Sequence, residues 1–247
     1  VPLTDETRAR ARAIVARYPE GRSRSALLPM LHLVQSDEGY VTADGVALCA
    51  EELGLTKAEV GAVATFYTMY KRRPVGDYLV SVCTNLACQL LGGDEVFARL
   101  SKHLDVRHDE TTEDGTITLE HAECLAACDF APVVTVNYEF YDNATPDSAV
   151  ELVKELQAGK RPMPTRGAPL CSFREIERQL AGFVDPDVTT QDAPARRKTR
   201  TRRSSKAEAG TATEASGNDM AGTAADIDTA SATESTEPAE SREGKDA

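Results

Sequence analysis

Four of the six cysteines form two pairs: Cys83 and Cys88 with four residues between them, and Cys124 and Cys128 with three. The pairs stand 35 residues apart. Each pair follows a run that reads as a β-strand, Tyr78 to Val82 before the first and TITLEHA, ending at Ala122, before the second. If those two strands lie parallel, both pairs emerge at the same end of one sheet, and four thiols meet on neighbouring loops. Disulfides are disfavoured for clustered cysteines in a cytosolic chain of ordinary size, where metal binding or redox chemistry is commoner. A thioredoxin-type redox pair needs two residues between its cysteines, and neither pair has that. Four thiolates can hold a zinc ion or an iron-sulfur cluster. A zinc knuckle usually spaces its paired cysteines by two, so that a tight turn aims both sulfurs at one small ion. The wider gaps favour a 2Fe-2S rhomb with one iron to each pair, and zinc stays open as the alternative.

The rest of the chain supplies a frame for that site. Asp5 to Tyr18, Ser25 to Gln35, Val46 to Leu53 and a segment opened by the Thr56/Glu59 capping box read as four helices, a small domain over residues 1–74. After Pro74 and Gly76 the apolar period changes, and residues 75–160 read in the order β-α-β-β-β-α. The helix there is Leu90 to Leu104. The strands after it are TITLEHA, VVTVNY (Val133 to Tyr138) and Phe140-Tyr141, and a last helix starts at Thr145 with Pro146 at its first position. A helical crossover between the first two strands and a hairpin between the last two fit a thioredoxin-like layout. The fold class is therefore α+β. Residues 161–190 read as a Pro-rich surface extension with one amphipathic stretch, Ile176 to Phe183, and residues 191–247 as a disordered tail without Leu, Val, Phe, Tyr or Cys.

Charge narrows the partners. The chain carries 28 Lys plus Arg against 40 Asp plus Glu, a formal net charge of −12. The tail accounts for only −2 of it, although seven basic residues crowd into Arg196 to Lys206. An acidic surface is a poor sequence-independent binder of nucleic acid. No run approaches the roughly 20 apolar residues of a membrane helix, and the first residues lack the layout of a signal peptide. The expectation is a cytoplasmic chain with no direct membrane insertion.

Further residues carry a resemblance. Ala64-Thr65-Phe66-Tyr67-Thr68-Met69-Tyr70, then Pro74-x-Gly76, the first cysteine pair, Thr111-Thr112-x-Asp114-Gly115, the second pair and Ala131-Pro132 follow in order. The region Ser25 to Leu156 resembles the small 2Fe-2S subunit of NADH:quinone oxidoreductase (respiratory complex I), the 24 kDa type. The resemblance implies a helical bundle ahead of a thioredoxin-like ferredoxin domain. It also implies one 2Fe-2S cluster ligated by Cys83, Cys88, Cys124 and Cys128. FMN and NADH would sit on a larger partner subunit, with other peripheral-arm subunits around them, on the cytoplasmic side of the inner membrane. The equivalent subunit of a soluble NAD-linked hydrogenase or formate dehydrogenase is the near alternative, and a zinc-stabilised binding domain the distant one. Two departures stand out. Ala126 replaces a glycine usual in that family and would be strained there if the position needs positive φ. Thr84-Asn85-Leu86-Ala87 replaces small and basic residues.

The remaining candidates read as structural. Gly92-Gly93 is a lone pair and not a dinucleotide fingerprint, so the chain is not a dehydrogenase by itself. Cys49 reads as a small buried hydrophobe and Cys171 has no partner nearby. The four histidines, at 32, 103, 108 and 121, do not group at metal spacing, although His121 stands three residues before Cys124.

Overall fold

Strand β1 (Tyr78–Cys83) is buried along its whole length and organises a five-stranded sheet whose order is β2 (Glu110–Thr111), β3 (Ile117–Ala122), β1, β4 (Val134–Val136) and β5 (Glu139–Tyr141). The computed structural model describes residues 3–184, so the tail expected over residues 191–247 lies outside the described residues. Four helices come first: α1 (Asp5–Val15), α2 (Leu27–Glu38), α3 (Ala43–Leu53) and α4 (Lys57–Phe66). They share one core, in which Ile14, Leu31, Val34, Cys49 and Val60 are fully buried. Thr4, Thr42 and Thr56 cap α1, α3 and α4 by accepting a backbone N–H, and Thr56 with Glu59 forms the expected capping box. Helix α2 begins after a 3-10 turn at Ser23–Ala26 and runs three residues past the expected Gln35, until Gly39 turns left-handed.

Beyond Pro74 the chain enters the sheet layer. β1 lies parallel to β3 (Ile117–Ala122) and antiparallel to β4 (Val134–Val136), which pairs with β5 (Glu139–Tyr141) across a hairpin turn. Asn137 and Tyr138 both take positive φ in that turn, the backbone that a two-residue hairpin needs to match strand twist. Asn137 tolerates it, and its side chain accepts from Leu79 N and donates to the carbonyls of Asp77 and Cys171. One sheet face, with Val80, Val82, Ile117, Leu119 and Val136, packs against α6 (Gly93–Leu104) and α7 (Pro146–Gln157). The opposite face presents Ser81, Thr118, Glu120 and Thr135 to a cavity of about 870 Å³ roofed by the connection from α4. Lys71 on that connection pairs with Glu120, which also accepts from Ser81 Oγ at 2.6 Å. Gly76 lets β1 begin against the Asp114-Gly115 turn, because a Cβ there would stand 2.7 Å from Gly115 O.

Three features depart from the sequence reading. A short helix α5 (Leu86–Leu90) and a two-residue strand β2 (Glu110–Thr111) are too brief for periodicity to reveal. The amphipathic stretch expected at Ile176 to Phe183 is α8 (Phe173–Leu180), capped by a Ser172/Glu175 box. It is part of the helical layer: Phe173 and Glu177 are fully buried, and Ala181 belongs to the core of α1–α4.

Glu177 explains the docking of α8. Its buried carboxylate meets His32 Nδ1 at 2.6 Å and accepts from Gln35 Nε2 at 2.9 Å and Tyr138 OH at 3.0 Å. One side chain thereby joins α8, α2 and the β4–β5 turn.

Candidate metal centre

The parallel pairing of β1 and β3 places Cys83 opposite Ala122, the last residue of β3. Both strands end together, so the loops that follow start side by side. Thr84 N donates to Ala122 O and Cys83 N to Val133 O, each at 3.0 Å, which binds the two loops and β4 at that end. After Cys83, Asn85 caps α5 by accepting from Leu86 N at 2.9 Å, and the helix turns Cys88 inward. After Cys124 the chain makes a tight turn through Ala126, and Cys128 opens a 3-10 turn that ends at Phe130. A cis peptide joins Ala131 to Pro132.

The four thiols divide by exposure. Cys83 and Cys88 are buried with Ala127 and Val133, and Leu125, Ala131 and Phe140 pack against them. Cys124 and Cys128 are exposed. Burial, followed by the hydrogen bond to Cys83, pushes the Cys88 thiol up to about 11. A thiol must lose its proton to bind iron, so loading this site releases protons. Among the described residues, no three His, Cys, Asp or Glu side chains converge at the spacing of a single ion's ligands. The donor set fits a two-iron sulfide group: two thiols on each of two adjoining loops, an apolar wall behind the buried pair, and the other pair open to solvent. When bound, such a group supplies one-electron oxidation and reduction.

Glycine 93 is a site residue that its sequence context does not announce. A Cβ at this position would stand 2.6 Å from Cys83 O and 2.9 Å from Cys88 O. Only glycine lets the start of α6 press against both loop carbonyls, and Gly92 ahead of it takes φ 100°. The available signal was the Gly92-Gly93 pair, which begins four residues after Cys88.

Ala126 bears out the strain anticipated for its position, with φ at 55°. Its N–H donates to Cys124 Sγ at 3.4 Å, which is what the turn provides for the thiol. A left-handed backbone costs a non-glycine residue roughly 1–2 kcal/mol. Glycine loses about 0.5–1 kcal/mol more backbone entropy on folding. Ala126→Gly is therefore expected to stabilise the protein by about 0.5–1 kcal/mol, read as a higher urea midpoint. An unchanged or lower midpoint would count against strain at this turn.

The other candidates lie apart. Cys49 is fully buried in the helical core, and desolvation pushes its thiol up to about 12. Cys171 is half-buried, accepts from Gln179 Nε2 at 3.7 Å, and is pushed up to about 11 by burial. His108 and His121 lie with ring centroids 4.1 Å apart and planes tilted by 45°, and His121 N donates to His108 Nδ1. Their meeting follows from the return of the chain into β3 and has no sequence signature.

The model of the family described as thioredoxin-like [2Fe-2S] ferredoxin matches residues 11–157. The chain belongs to this family. Among ferredoxins of this type, it is 61% identical over 175 residues to the E-type subunit of the NADH-quinone oxidoreductase of Mycobacterium tuberculosis, covering 71% of this chain and 69% of the relative. It is 37% identical over 147 residues to the NADH-quinone oxidoreductase subunit 2 of Thermus thermophilus, covering 59% and 81%. A solved structure of an NAD+-reducing [NiFe]-hydrogenase matches with 20% identity and a TM-score of 0.48, over 54% of this chain. The ferredoxin spans 23% of that hydrogenase chain.

Proposed function

We propose that this chain is the electron-transfer subunit of the NADH-oxidising peripheral arm of an NADH:quinone oxidoreductase, with Cys83, Cys88, Cys124 and Cys128 holding one 2Fe-2S cluster. The observation that carries the reading is the parallel β1–β3 pair, which delivers two cysteine pairs to one end of a sheet in a family named for that cluster. FMN and NADH belong on a larger partner subunit, whose flavin would supply the conversion between a two-electron donor and single electrons. Residues 1–74 act as a helical domain beside the ferredoxin domain. Among the described residues no helix is long and apolar enough to cross a membrane. The subunit is held at the cytoplasmic side of the inner membrane by the rest of the complex.

The chain's own residues set the conditions for electron exchange. Cys83 and Cys88 anchor one half of the site away from water, and Cys124 and Cys128 leave the other half open to a partner. The Ala126 N–H, directed at Cys124 Sγ, favours added negative charge, and the exposed carboxylates of Glu123 and Asp129 oppose it. The combined change Glu123→Gln and Asp129→Asn is expected to raise the midpoint potential by some tens of millivolts in an EPR-monitored redox titration. An unshifted midpoint would remove these acids from the tuning of the site.

Iron and acid-labile sulfide analysis of the purified chain tests the reading itself. Two irons and two sulfides per chain, with visible colour, are expected. A colourless protein with one zinc would overturn it.

A further inference from the structure

The segment after α7, residues 160–170, is stitched to β5 and to the turn beyond it. Thr165 N and Thr165 Oγ1 both donate to Phe140 O, at 2.8 and 2.9 Å, and Asp142 N donates to Thr165 Oγ1 at 3.1 Å. Tyr141 OH donates to Pro162 O at 2.8 Å, and Ala168 N to Glu139 Oε2 at 2.9 Å. Gly167 takes φ 111°, and a Cβ there would stand 1.7 Å from Glu139 Oε2, so glycine is required directly after Arg166.

These bonds fix where Arg166 points. Its Cζ stands 5.0 Å from the centroid of the Phe130 ring and 4.6 Å from that of Phe140. Phe130 ends the 3-10 turn that Cys128 opens, and Phe140 packs against the buried cluster of Cys83, Cys88, Ala127 and Val133. One cation therefore lies over a ring beside each cysteine pair, where the negative ring faces attract it. Arg166 Nη2 donates to Asp142 Oδ1 at 2.7 Å, and the neighbouring Asn143 N donates to Phe130 O at 2.8 Å. Phe130 is thus gripped at its ring and at its carbonyl. It is 41% exposed, so burial in a core does not fix it. Arg166 Nε is buried and has no hydrogen-bond partner among the described residues. A lysine would pair with Asp142 without burying such a group, whereas a flat guanidinium set over two ring faces accounts for it.

We propose that Arg166 is a positioning residue of the metal centre: through Phe130 it fixes the turn that presents Cys128, and through Phe140 it ties that turn to the buried half of the site. The inference rests on the reading of the four cysteines as ligands of one cluster. Asp142, whose side chain is 10% exposed, offsets the charge of Arg166. Arg166 therefore acts by placing Cys128 and not by its own field.

The test uses the full chain purified with its iron. Arg166→Met and Phe130→Leu are each expected to broaden and shift the EPR signal of the reduced protein and to speed iron loss to a chelator roughly tenfold, the lower end of what losing a supporting group costs. The double variant should be no worse than either single one, because both remove the same contact. Phe130→Tyr keeps the ring face and should behave as wild type. So should Arg161→Met, at an exposed arginine of the same segment. Amide hydrogen exchange over residues 124–130 should be faster in Arg166→Met and Phe130→Leu. Faster exchange with an unaltered EPR signal and iron-loss rate would make Arg166 a merely structural residue and overturn the proposal. Additive effects in the double variant would overturn it too. Wild-type iron, with both single variants unaffected, would overturn it and leave the cluster reading standing. A wild-type chain that holds no iron would overturn the cluster reading and the proposal together.

Discussion

Serine in place of Cys88 is expected to strip the chain of its iron. Cys88 and Cys83 form the buried half of the site, at 2% and 3% exposure, where no outside group can reach in to replace a lost ligand. A hydroxyl gives up its proton far less readily than a thiol and is a harder donor than iron-sulfur chemistry selects. Changes in groups that merely support a ligand already cost roughly 10–100-fold in metal affinity, so loss of a buried ligand is expected to exceed that range. Iron content and the EPR signal of the reduced protein measure it. Cys83→Ser should behave alike. Cys49→Ser should retain the full signal, because Cys49 belongs to the core of α1–α4, and should show only a lower denaturation midpoint from its buried hydroxyl. A Cys88→Ser protein with wild-type iron and an unaltered spectrum would remove Cys88 from the ligand set.

Glu177→Ala is expected to be the most destabilising single change outside the metal centre. The carboxylate is fully buried and meets His32, Gln35 and Tyr138, which come from two different layers of the molecule. Truncation leaves those groups without their shared acceptor in the interior. Removing one member of a buried charged network costs about 3–5 kcal/mol. At roughly 2–4 °C per kcal/mol for a folded unit of this size, the melting temperature should fall by on the order of 10 °C. Tyr138 adds to the effect, because it holds φ at 72° in the hairpin turn, and its hydroxyl bond to Glu177 helps maintain that backbone. Glu177→Gln keeps the shape and one acceptor and should cost less. Thermal and urea denaturation of the two variants check both values, and a loss below 1 kcal/mol for Glu177→Ala would mean that α8 is held by its other contacts, apolar and polar, without help from this carboxylate.

Much of the molecule was legible before the fold was known, for identifiable reasons. Helix starts announced themselves through hydroxyl caps at Thr56 and Thr145, because a capping box is a local contact between residues three apart. β1 was legible as an apolar run, and the burial of all six of its residues accounts for that run. The cysteine pairs were legible as candidate donors because of their spacing, and the parallel pairing of the two strands brings both pairs to one end of the sheet.

Other features were hidden because their meaning lies between segments far apart. Glu177 reads as a charged residue in an amphipathic stretch, and only the packing of α8 on α2 turns it into a buried acceptor. His108 and His121 become neighbours through the course of the chain into β3. Leu86 and Leu90 are exposed because Cys88, between them on α5, is the residue turned inward.

The sequence by itself therefore named the candidate donors and set one cysteine pair after each of two strands, since both follow from residue type and short-range spacing, whereas the parallel pairing that brings the pairs to one sheet end is tertiary. The tertiary structure decided which thiols are sheltered and which face outward, and why Gly93 admits no side chain. It also decided how α8 is locked to the helical layer and the β4–β5 turn. Burial is a property of what packs over a residue, and that covering comes from segments whose proximity no local pattern encodes.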